Sequence, residues 1–108
     1  MQQLPLLQSE SNWCPPSIFP DLTKEKRIAV DLETYDPELI QKGAGWATGN
    51  GHIIGIAVAT KDWKGYFPIR HVNGNNLDEN LVLDWLQRQL FAPSDKIFHN
   101  AMYDVGWL

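Results

Sequence analysis

The residues with the clearest chemical potential are Asp31 and Glu33, in the segment Asp31-Leu32-Glu33-Thr34. The approach to them, Ile28-Ala29-Val30-Asp31-Leu32, is apolar and β-branched enough to predict a first strand. A strand period of two then puts both carboxylates on one face and Ile28, Val30 and Leu32 on the opposite, core side. Two acids held so close raise each other's pKa unless a cation lies between them. Hard divalent ions such as Mg2+ or Mn2+ prefer that all-oxygen environment. Because Asp-x-Glu is a short pattern, a solvated pair at a strand end is the plain structural alternative.

A third carboxylate stands in Asn100-Ala101-Met102-Tyr103-Asp104, which opens a predicted helix directly after a short strand expected over Lys96 to His99. Asn100 is placed as the cap, and Asp104, about one turn later, can point along the sheet edge toward a neighbouring strand. By itself this motif also fits an ordinary cap followed by a first-turn acid that favours the helix dipole.

The elements that must position these acids can be read from the remaining pattern. Pro5, Pro15, Pro16 and Pro20 predict an extended leader over 1–22, with Trp13, Ile18 and Phe19 as candidate anchors and 23–108 as the domain. Between Tyr35 and Gly51 a glycine-rich stretch predicts a long loop with a helical turn near Pro37 to Lys42. His52 to Thr60 and Lys64 to Ile69 read as a hairpin turning at Lys61 and Asp62. Leu83, Leu86 and Leu90 have helical spacing, which predicts a helix from about Leu77 to Phe91. Asn76 is its expected N-cap, with Glu79 completing a variant capping box and Pro93 marking the end. Three strands, a helix, a strand and a helix make an α/β chain whose fourth strand is expected to pair inside the sheet.

Composition narrows the function. With 108 residues and 44% hydrophobic content, one domain is expected. No apolar stretch approaches the roughly 18 residues of a membrane span. Met1 to Glu10 lacks the charged and apolar blocks of a secretory signal, so an intracellular, cytoplasmic location is expected. Cys14 is the single cysteine, which leaves no internal disulfide or thiolate zinc cluster. A net charge of -4 gives no bulk attraction for nucleic acid, so any such role needs a local site. Gly43-Ala44-Gly45 lacks the third glycine of a dinucleotide loop, and no serine stands in a nucleophile elbow. His52, His71 and His99 are too dispersed for a zinc motif and read as strand-end or loop residues. Trp63 and Trp85 read as packing residues rather than base-stacking platforms.

Taken together and in this order, Asp31-Leu32-Glu33-Thr34 and Asn100 to Asp104 resemble the first two motifs of the DEDD-type 3'-5' exonucleases. Gly45-Trp46-Ala47-Thr48-Gly49, Ile53-Ile54-Gly55-Ile56-Ala57 and Tyr66-Phe67-Pro68-Ile69-Arg70-His71 are similar to the proofreading domains of DNA polymerase I-like enzymes of phages and bacteria. The resemblance covers about Trp13 to Leu108. It implies an RNase H-like fold, incomplete here, and two divalent ions, Mg2+ or Mn2+, acting on a single-stranded DNA 3' end. It further implies that Asp31 bridges both ions, that Glu33 binds one and orients water, and that Asp104 holds the other. Thr34, Asn100 and Tyr103 would contact the terminal nucleotide or its phosphate. The family's third motif, Tyr-x-x-x-Asp or His-x-x-x-Asp, does not follow Asp104, and neither Tyr35-Asp36 nor Tyr66 replaces it. The expectation is therefore a truncated domain with little activity alone, joined to a polymerase in the same or a separate chain, or a non-catalytic remnant that binds nucleic acid.

Overall fold

Apolar residues at every second position of the first strand decide the layering. In the computed structural model, which describes residues 15–16, 18–72 and 74–108, β1 (Arg27–Tyr35) buries Ile28, Val30 and Leu32 and leaves Asp31 and Glu33 exposed. That alternation belongs to a strand with one face on a core. β2 (His52–Ala59) runs antiparallel to β1, and β3 (Lys64–Pro68) antiparallel to β2. β4 (Asp95–Phe98) runs parallel to β1, giving a mixed four-stranded sheet in the order β3-β2-β1-β4. The chain is thus an α/β fold. The expectation that the fourth strand lies inside the sheet is corrected: β4 takes the edge position beside β1.

The crossover needed to bring β4 parallel to β1 is α3 (Glu79–Phe91), which covers one face of the sheet. Val82, Trp85 and Leu86 are essentially buried, as are Ile28, Val30, Ile56, Val58 and Phe67 of the strands. Trp85 and Phe67 meet with ring centroids 4.8 Å apart, and Trp63 packs 6.1 Å from Phe67, so both tryptophans serve the core. Phe19 closes the cluster at 5.7 Å from Phe67. Of the expected leader anchors Phe19 therefore serves, Ile18 is 73% exposed and does not, and Trp13 lies outside the described residues. Polar bonds fix the same stretch. Trp85 Nε1 donates to Pro20 O at 2.7 Å, and Leu22 N donates to the buried Gln89 Oε1 at 2.8 Å.

The start of α3 departs from the sequence expectation. Asp78, not Asn76, is the N-cap and accepts from Leu81 N, while Glu79 pairs with Arg70 at 2.8 Å instead of closing a capping box. Asn76 clamps His71 instead: His71 N donates to Asn76 Oδ1 at 2.7 Å, and Asn76 Nδ2 donates to His71 O at 2.9 Å. The long loop contains two short helices, α1 (Leu39–Lys42) and α2 (Gly45–Thr48). After β4 the chain enters α4 (Ala101–Trp107). Among the described residues no helix is long and apolar enough to cross a membrane.

Because Gln89 gives the Leu22 N–H its partner inside the core, Gln89→Ala should cost roughly 1–3 kcal/mol in urea unfolding. Faster amide exchange at Leu22 should accompany the loss.

Candidate active site

The face of the sheet opposite α3 carries the acids over small neighbours: Asp31 pairs with Ala57 and Glu33 with Gly55. Directly beyond Glu33 the register slips, Thr34 pairing with Ile53, so Ile54 is the extra residue of a bulge in β2. Bulges re-aim side chains, and this one ends regular pairing just past the two carboxylates.

Asp104 arrives from the other edge. Val30 pairs with Phe98 in the parallel β1–β4 ladder, after which the chain turns through His99 and Asn100 into α4. Asp104 N donates to Asn100 O at 2.8 Å as the helix opens. One turn of helix brings the Asp104 carboxyl to a site that is 3% exposed and within reach of Asp31's charge. Burial, and then the Asp31 carboxylate, raise the Asp104 pKa, against smaller opposing effects of the Asn100 backbone and His99. Asp104 Oδ2 is buried with no hydrogen-bond partner among the described residues.

Glu33 sits two residues along the same face, and its charge acts on the Tyr66 phenol. Among the described residues no three or more His, Cys, Asp and Glu side chains gather closely enough to hold a metal ion. The structure thus brings Asp31 and Asp104 together and leaves Glu33 to one side. Thr34 and Tyr103 meet each other, Oγ1 to Oη 2.9 Å, and Tyr103 donates to Asp36 Oδ2 at 2.7 Å. Asn100 occupies the N-cap position but makes no side-chain cap bond, so the capping expected of it fails.

Asp36 is a site residue that sequence reasoning missed. Its Oδ2 also accepts from Gly45 N at 2.9 Å, tying the loop with α1 and α2 to α4. A Cβ at Gly45 would fall 2.0 Å from Asn50 O and 2.7 Å from Asp36 Oδ1, and one at Gly106 would fall 2.1 Å from the Trp46 ring. Bare glycines at both places were the only signal in the sequence that the loop docks closely on α4. His71 lies in the loop after β3, as the sequence suggests, and its Nε2 is 2.6 Å from Tyr66 Oη.

Carboxylate oxygens are the ligands that a hard divalent cation prefers, and Asp104 has a buried oxygen without a hydrogen-bond partner among the described residues. Asp31 and Asp104 would hold it, with Glu33 on the same strand face.

No protein-family model matches the chain. It is 39% identical over 103 residues to a protein of Pseudomonas phage M6 named DNA-directed DNA polymerase. The match takes in 91% of this chain and 16% of the phage protein, so the chain spans about a sixth of that relative's length. The chain is thus similar to part of a phage DNA polymerase, and its own fold is α/β.

A raised carboxyl pKa means that the folded state holds the proton more tightly than the unfolded one. Asp104 therefore favours folding at acid pH and loses that advantage as pH rises through its folded pKa. Asp104→Asn should melt higher than the parent in chelator at neutral pH, the gain shrinking on acidification, in thermal scans followed by circular dichroism.

Proposed function

We propose that this chain contributes the first two motifs of a metal-dependent 3'-5' exonuclease of RNase H-like fold, which removes nucleotides from DNA 3' ends beside a polymerase. The observation that carries the reading is the convergence of Asp31 with the buried Asp104, 73 residues further along the chain, whose Oδ2 has no hydrogen-bond partner among the described residues. Similarity to a phage DNA polymerase supports the setting in DNA replication. A hollow of about 540 Å³ on the open face, lined by Ala29, Ala59 and Ile97, carries Lys26, Arg27 and Lys61 beside the acidic Glu25. Those cations would meet phosphates on an otherwise acidic chain.

In this reading Asp31 and Asp104 hold Mg2+ or Mn2+, which would polarise the phosphodiester and lower the pKa of a bound water. Glu33 orients the attacking water from the exposed strand face. The Thr34–Tyr103–Asp36 bonds fix the end of β1 against α4, keeping Asp31 and Asp104 in register. Thr34, Asn100 and Tyr103 line the approach of the terminal nucleotide.

A second reading, a module that holds a DNA 3' end without cutting it, is favoured by the absence of a gathered three-ligand group among the described residues. Both readings are tested on 5'-labelled single-stranded DNA with the whole polypeptide that carries this sequence. Stepwise shortening from the 3' end, dependent on Mn2+ and reduced more than about 100-fold by Asp31→Ala with little change in melting temperature, supports the exonuclease. Binding without shortening supports the module. Cleavage that persists in Asp31→Ala rules out the assigned roles.

A further inference from the structure

β1 does not end at its two acids. Tyr35 takes the next exposed position after Asp31 and Glu33 in the alternation of the strand, and it is 54% exposed. Successive residues on one face of a strand lie about 7 Å apart, so Tyr35 stands one step beyond Glu33. The ring is braced. Tyr35 pairs with His52 directly across the β1–β2 ladder, and their ring centroids lie 5.4 Å apart at 36°. Cross-strand pairs of aromatic rings restrain both side chains. The backbone beneath is fixed as well: Gly51, at φ 80°, passes so close that a Cβ there would fall 2.1 Å from Tyr35 O. No hydrogen bond engages the Tyr35 hydroxyl among the described residues.

A ring in this position offers a nucleic acid something that charge does not. The chain carries a net charge of -4, and Asp31 and Glu33 precede Tyr35 on the exposed side of the strand, so phosphates gain nothing at this end of the sheet. A base does gain. Every base has a π-face, and stacking on an aromatic side chain holds it whatever the sequence. Inside a duplex both faces of a base are already covered by its neighbours. An unpaired base at a strand end is free to lie on a protein ring instead.

We propose that Tyr35, braced by His52, is a stacking platform for the unpaired base at a DNA 3' end, so that it favours single-stranded ends over paired ones. This rests on the proposed action at DNA 3' ends but on no bound metal. It gives the terminal base a partner that neither sequence motif contains.

The test is run in chelator, so that no strand is cut, by fluorescence anisotropy of 5'-labelled single-stranded DNA mixed with the full chain. The parent should bind a strand with a normal 3' end about 10-fold more tightly than one whose 3'-terminal residues lack bases. Tyr35→Ser should lose that preference and bind both strands as weakly as the parent binds the abasic one. Its dependence on salt should match the parent's, because no phosphate contact is removed. Tyr35→Phe keeps the ring and should bind as the parent does. If Tyr35→Ser proves unstable in thermal scans, His52→Ala decides: it leaves the tyrosine but removes the brace, and should lower the same preference. Equal weakening of both strands by the deciding variant, or of neither, overturns the platform alone. A parent chain that binds neither strand overturns the 3'-end reading and the platform together, so the two failures are told apart.

Discussion

Asp104 is nearly fully buried, one of its oxygens lacks a hydrogen-bond partner among the described residues, and the Asp31 carboxylate lies close by. Loss of hydration and like charge both penalise the ionised form, so at neutral pH the folded chain carries an electrostatic cost at this point. A site of this kind survives only if the rest of the structure holds the two acids in place. The core does so from one side: Ile28, Val30 and Leu32 give β1 a fixed face against Trp85 and Leu86 of α3, and a one-residue slip would turn Asp31 into that core.

From the other side, α4 is held by close contacts that only small residues permit. Gly106 sits against Trp46 and Gly45 against Trp107, while the Asp36 carboxylate joins Gly45 N to the Tyr103 hydroxyl. The loop after β1, long for a connection into a hairpin, is therefore a brace between β1 and α4. Its deformation would move Asp104 relative to Asp31 without touching either.

Much of this was legible in the sequence wherever the pattern is local. The period of two in Ile28 to Glu33, the hairpin of His52 to Pro68 and the helical spacing of Leu83, Leu86 and Leu90 all survive in the structure. What was not legible depends on partners distant in the chain. Asn76 suits an N-cap by type, yet the turn after β3 presents it to the backbone of His71, leaving Asp78 to cap α3. Arg70 draws Glu79 out of a capping box by offering a charge-assisted bond. β4 pairs with β1 alone and so lies at an edge, a placement that its own four residues do not encode. The pairs Tyr66–His71 and Asp36–Tyr103 are likewise invisible to spacing arguments, since glycines rather than chemical side chains mark where they meet.

The most direct measurement is the effect of Mn2+ on thermal unfolding of this chain between about pH 7 and about pH 4. A cation seated between Asp31 and Asp104 binds the folded state alone and raises its melting temperature by mass action. Near neutrality, where the acids are charged and opposed, Mn2+ should give a clear stabilisation that fades toward acid as Asp104 takes up its proton. A shift that is absent at neutral pH, or equal at both ends of the range, would contradict the seat.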